Sequence, residues 1–219
     1  MTEIYIAKTD ILCDKTQFLK RYNALPSERK EKADRLPHEA DKHLSVASWH
    51  LLLFALNKKG IREDEIILSK NEHGKPFLKN YPEVHFNLSH SGNTVMCAVS
   101  QGEVGCDTEK IRPVKLKIAD RFFSENEIRK LKSADEKERE LLFFRLWTLK
   151  ESFMKATGHG FSLPLKDFCI NINEQNIEVT QNVFPNEKFY FKEFFKDDGY
   201  CYAVCAKEKD FSDMIETEI

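Results

Sequence analysis

The chain has 219 residues, 41% hydrophobic and 32% charged, with 8 Gly and 7 Pro, a balance that excludes collagen-like, coiled-coil and disordered classes and leaves enough chain to bury a core. A formal net charge of −2 supplies no global field for nucleic acid, so any anion must be held by a local basic cluster. The apolar run at 48–56 contains His50 and is far short of the ~20 residues of a membrane span, and Glu3, Lys8 and Asp10 break a signal-peptide pattern. The six cysteines include no C-x-x-C pair and no zinc-like spacing with His, so reduced thiols in a cytoplasmic protein are expected, with no membrane and no nucleic-acid partner.

In chain order, residues 3–8 alternate as a strand, and Ser27 stands as a candidate N-cap before a short basic helix carrying Arg29, Lys30, Lys32 and Arg35. Leu44, Ala47, Leu51 and Ala55 recur at helical spacing within 38–57, and Gly60 follows as a stop. Val84, Phe86 and Leu88 alternate with His85 and Asn87; a polar turn at 89–93 then leads to a second strand at 95–99. A third strand covers 104–109, and Arg112-Pro113 interrupts any ladder beyond it.

Ser124-x-x-Glu127 has the form of a capping box, and a long helix is predicted over 136–157 with Gly158 as its stop. Strands are predicted at 168–172, 177–180, 189–194 and 200–206, and a loosely held polar tail at 207–219. Each half thus combines a large helix with strands, which predicts an α+β protein of two related lobes, 1–103 and 104–219.

Two places carry chemistry. In the strand at 104–109 the period of two puts Asp107 and Glu109 on one face with Gly105, a residue that leaves room for a ligand. Adjacent carboxylates repel unless solvated, protonated or neutralised, and a hard oxygen pair suits Mg²⁺; on spacing alone, a solvated strand face is the commoner explanation. The helix at 136–157 is apolar nearly all round, through Leu142, Leu146, Leu149, Phe153, Phe143, Phe144, Trp147 and Met154, and so predicted to be buried. Glu151 and Lys155 share one of its faces, where a simple i,i+4 ion pair competes with a metal or phosphate as the reason for burying charge.

The strings Gly105-Cys106-Asp107-Thr108-Glu109-Lys110 and Trp147-Thr148-Leu149-Lys150-Glu151-Ser152-Phe153-Met154-Lys155-Ala156 resemble the two signature motifs of the Sfp-type 4′-phosphopantetheinyl transferases. Gly74-Lys75-Pro76, Phe86-Asn87-Leu88-Ser89-His90-Ser91 and the run from Gly158 to Leu165 are similar to further family stretches, so the resemblance covers about residues 26 to 206. It implies a pseudo-dimer of two similar α+β lobes with the active site in the cleft between them. It also implies an enzyme that moves phosphopantetheine from coenzyme A to a serine of an apo acyl or peptidyl carrier protein, releasing 3′,5′-ADP.

By the same resemblance Asp107, Glu109 and Glu151 hold Mg²⁺, Glu151 takes the serine proton directly or through water, and Lys155 stabilises phosphate charge. Ser89 and His90 fall at the phosphate-binding turn, Lys75 lines the coenzyme A site, and Arg29, Lys32 and Ser45 match positions around the 3′-phosphate. One departure is Leu44, where some members carry an arginine. Carrier docking is expected along 113–123, and one chain that supplies both sides of the cleft implies a monomer. Competing classes are a metal-dependent phosphohydrolase and a noncatalytic carrier-binding module; the retained Asp107, Glu109, Glu151 and Lys155 oppose the second.

Overall fold

The computed structural model describes residues 1–173 and 176–219 and begins with β1 (Thr2–Lys8), α1 (Lys15–Asn23), α2 (Ser27–Asp34) and α3 (Glu39–Lys58). A small hairpin, β2 (Leu68–Lys70) with β3 (Pro76–Leu78), precedes β4 (His85–Ser91), β5 (Thr94–Ser100) and β6 (Val104–Lys110). The second half adds α4 (Ala119–Phe122), α5 (Glu125–Ser133), α6 (Glu136–Thr157), β7 (Cys169–Ile172), β8 (Ile177–Thr180), β9 (Tyr190–Phe194), β10 (Tyr200–Ala206) and β11 (Phe211–Glu216). Among the described residues no helix is long and apolar enough to cross a membrane.

Alternation along the strands explains the layering of this α+β fold. One sheet runs β11-β1-β5-β4 and another β6-β10-β9. Tyr5, Cys97 and Val99 face one core beneath Leu44, Ala47, Leu51 and Ala55 of α3, whereas Ile4, Ile6, Met96 and Ala98 point the other way. These meet Val104, Cys106, Tyr202 and Val204 of the second sheet, and Ala203 and Cys205 on its far side meet Leu146, Leu149 and Phe153 of α6. Strands β5 and β10 are therefore buried on both faces, as strands sandwiched between a helix layer and another sheet must be.

The ends of the helices follow local chemistry. Ser124 and Glu127 form the expected capping box of α5, and Gly158 closes α6 in the left-handed region at φ 71°. Ser27, by contrast, is the first residue of α2 and caps nothing: Pro26 occupies the N-cap, where its lack of an N–H leaves no donor unsatisfied.

The tail at 207–219 is not loose. It contains β11, parallel to β1 with Phe211 opposite Thr2 and Ile215 opposite Tyr5. Its polar composition hid it, because an edge strand is held mainly by backbone bonds; Thr2 N donates to Asp210 O at 2.7 Å and Thr217 N to Ile6 O at 2.9 Å. Phe211 and Met214 add apolar contact with the layer between the sheets, and Ile219 packs against the core of the first half.

Candidate active site

Gly105 decides how the site is assembled. A Cβ built on it would lie 2.1 Å from Ser152 O and 2.3 Å from Ala156 N, so the missing side chain admits the backbone of α6 and not, as the sequence suggested, a ligand. This close approach brings the face of α6 bearing Glu151 and Lys155 onto the strand bearing Asp107 and Glu109. An open pocket of about 340 Å³ results, lined by Ser89, His90, Asp107, Glu109, Trp147, Glu151 and Lys155, with Leu88 beside them.

Lys155 is the electrostatic centre of this pocket. Its Nζ donates to Asp107 Oδ1 at 2.6 Å, to Ser89 Oγ at 3.1 Å and to Cys106 O at 3.2 Å. The ion pair is thus with Asp107 across the fold, and the i,i+4 pairing with Glu151 considered from the sequence is not the one formed. Desolvation, the largest single influence, lowers the Lys155 pKa, but Asp107 together with Cys106 and Glu151 outweighs it and the net shift is upward.

With Lys155 committed to Asp107, Glu151 is left in a half-buried, anionic setting. Burial and then the charge of Asp107, reinforced by Glu109 and opposed by Lys155, push its carboxyl up to about 7. Glu109 is also raised, first by burial, while a hydrogen bond from Ser91 works the other way. His90 is exposed at the strand end, yet partial desolvation and then the neighbouring Lys155 hold its pKa below the usual histidine value.

The hard-oxygen character of the pocket fits a divalent cation. Asp107 Oδ2 is buried with no hydrogen-bond partner, an orphan that a cation would satisfy, and two further carboxylates line the same space. Among the described residues no three His, Cys, Asp or Glu side chains stand together as a ready-made metal cluster. Lys155 supplies part of the neutralising charge through its ion pair with Asp107.

Two residues of this centre escaped the sequence reading. Ser91 Oγ donates to Glu109 Oε2 at 2.8 Å, as Ser89 Oγ does to Asp107 Oδ1 at 2.7 Å, and Trp147 lines the pocket wall. The turn predicted at 89–93 is shorter than expected: β4 continues through Ser91, which therefore shares a strand face with Ser89. Trp147 also lines an adjoining apolar pocket of about 280 Å³ with Glu109, Arg112, Val114 and Phe144.

The remaining expected contacts stand outside the carboxylate pocket. Lys75 lies in a separate cavity of about 140 Å³ near Asn71, His85 and Gly158, and its Nζ donates to Val104 O at 3.0 Å and Ala156 O at 3.2 Å. Arg29 lies over the Trp49 ring at 5.0 Å, its buried Nε without a partner, and desolvation lowers its pKa. Lys32 is shifted down by burial and then by the charges of Arg29 and Lys70, so these cations repel one another and leave room for an anion. Ser45 is half-buried on α3, and the neighbouring Leu44 faces the core of the first half.

Carboxylates, an ammonium and an imidazole around one open pocket, with further cations nearby, are suited to handling phosphate esters. Comparison with known proteins makes the class specific. The profile of the 4′-phosphopantetheinyl transferase superfamily matches residues 103–205, and that of the 4′-phosphopantetheinyl transferase N-terminal region matches residues 13–102. The 4′-phosphopantetheinyl transferase Sfp of Bacillus subtilis (strain 168) is 37% identical over 192 residues, covering 86% of this chain and 84% of that protein. The 4′-phosphopantetheinyl transferase gsp of Aneurinibacillus migulanus is 38% identical over 160 residues, covering 73% and 66%. Thermotoga maritima holo-[acyl-carrier-protein] synthase overlaps 50% of this chain and 64% of its own at TM-score 0.42 and 23% identity. The chain belongs to the Sfp-type 4′-phosphopantetheinyl transferase family.

Proposed function

We propose that this enzyme transfers the 4′-phosphopantetheine moiety of coenzyme A to a serine hydroxyl of an apo acyl or peptidyl carrier protein, with Asp107, Glu109 and Glu151 as the ligands of Mg²⁺. The observation that carries the metal assignment is the buried, unpartnered Asp107 Oδ2 in a pocket shared with Glu109 and Glu151. Bound there, Mg²⁺ would neutralise pyrophosphate charge and orient the reacting phosphate.

The protein's own groups divide the remaining work. The serine O–H bond breaks as its oxygen attacks the pantetheine-side phosphorus, and the P–O bond to 3′,5′-ADP breaks as the new one forms. Glu151 accepts the serine proton directly or through a water, and its coordination to Mg²⁺, which would weaken it as a base, favours the water as intermediary. Lys155 and His90 carry cationic and hydrogen-bonding capacity to the phosphates, and Ser89 holds Lys155 and Asp107 in register. Arg29 and Lys32 take the 3′-phosphate beside Ser45, and Lys75 lines the coenzyme A site.

The apolar pocket around Val114 and Phe144 adjoins the centre and supports carrier docking along 113–123. Both sides of the site come from one chain, which supports a monomer, and six unpaired cysteines support a reducing, cytoplasmic setting. The test is to incubate purified protein with coenzyme A, Mg²⁺ and a panel of apo carriers and weigh the carriers. A phosphopantetheine mass gain dependent on Mg²⁺ is expected; no gain on any carrier type would refute the proposal.

A further inference from the structure

The two sheets meet at β4 and β6 without a backbone ladder. Side chains take its place at two-residue intervals. Asn87 Oδ1 accepts from Cys106 N at 2.9 Å, Ser89 Oγ from Thr108 N at 3.3 Å and Ser91 Oγ from Lys110 N at 3.2 Å. Three consecutive inward positions of β4 thus act as surrogate carbonyls for alternate N–H groups of β6.

A hydroxyl can accept and donate at once, whereas a carbonyl can only accept. The second and third rungs use that difference. Having accepted from the backbone, Ser89 gives its proton to Asp107 Oδ1 and Ser91 gives its proton to Glu109 Oε2. Each carboxylate is held through one oxygen. The other, Asp107 Oδ2 or Glu109 Oε1, has no hydrogen bond among the described residues. The first rung differs, because the residue preceding the N–H that Asn87 accepts is Gly105, where the other two rungs have Asp107 and Glu109.

Lys155 also holds Asp107, but Arg112 reaches Glu109 only at 4.0 Å with its own side chain 63% exposed, so Ser91 is the short, well-ordered restraint on Glu109. We infer that Ser91 is a positioning residue for divalent-cation binding: its hydroxyl, fixed by Lys110 N, pins Glu109 Oε2 and leaves Oε1 to the metal. The inference rests on the reading of Glu109 as a metal ligand. Partners of this kind behind a metal ligand typically change affinity by about 10–100-fold when lost.

The isosteric pair Ser91→Thr and Ser91→Val isolates the hydroxyl, and Mn²⁺ titrated by electron paramagnetic resonance, with coenzyme A present and no carrier, reads metal binding without turnover. Weakening by about tenfold is expected for S91V and wild-type affinity within about twofold for S91T. Ser91→Ala, a smaller change, is expected to weaken Mn²⁺ binding as S91V does and replaces it if S91V folds poorly. Asn87→Ala removes the rung without a carboxylate and is expected to lower Tm while leaving Mn²⁺ affinity within about twofold of wild type. Weakening by N87A equal to that of S91V would overturn the inference, since general loosening of the strand pair would then be the cause. Glu109→Gln separates the two levels: affinity lost in E109Q but kept in S91V overturns the positioning role alone, and affinity unchanged in E109Q overturns the metal assignment beneath it.

Discussion

Replacing Glu151 by Gln is expected to stabilise the metal-free protein while abolishing transfer. The carboxyl is held at about 7 against an ordinary 4.5 because burial and the Asp107 charge disfavour its ionised form. A pKa raised by folding means that the folded state binds the proton more tightly, so raising the pH from about 4.5 to about 7 withdraws stability from the wild type. At about 1.36 kcal/mol per pH unit the gap amounts to about 3 kcal/mol, an upper figure because the site relaxes around the charge. Gln resembles the protonated acid and pays none of this. Thermal unfolding in EDTA should give nearly equal Tm values near pH 4.5 and a Tm higher for E151Q by at most roughly 6–12 °C near pH 8, given about 2–4 °C per kcal/mol for a chain of this size. A Tm difference that does not change between those pH values would refute the electrostatic argument, whatever its sign.

Gly105→Ala tests the helix-on-strand contact: a Cβ 2.1 Å from Ser152 O must push α6 away, so transfer should fall by at least tenfold together with Tm, measured by carrier mass gain and thermal unfolding. The Lys150–Glu127 pair is fully buried at 2.8 Å, with Phe168 O and Ile170 N completing it. Lys150→Met strands the Glu127 charge and should cost about 3–5 kcal/mol in urea unfolding, with the double change E127Q/K150M recovering part of that loss.

The long elements were legible because their periodicities are strong. The helix predicted at 136–157 is α6 residue for residue, and the capping box at Ser124 and Glu127 formed as written. What was hidden depends on partners distant in sequence. Gly105 was readable as a place of close approach, but not that α6 would be what approaches. Glu151 and Lys155 were placed on one face correctly, yet the choice of Asp107 over Glu151 as the partner of Lys155 arises only when β6 meets α6. Ser91 was hidden because the polar run at 89–93 reads as a turn, whereas β4 continues through Ser91 and turns its hydroxyl toward β6. The hairpin of β2 and β3 is too short to carry a periodicity, and β11 too polar to declare itself.

The pairing of β11 with β1 links residues near opposite ends of the chain. During synthesis β1 is made long before β11, and one of its edges stays unpaired until residues 211–216 have left the ribosome. An open strand edge is a template for a wrong neighbour, and contacts this distant in sequence form slowly. The first sheet, which supplies Ser89 and His90 to the pocket, therefore reaches its final width only after the second half has been made. Asp213 and Glu216 keep β11 from being a wholly apolar strand before it docks, and its arrival covers the open edge of β1.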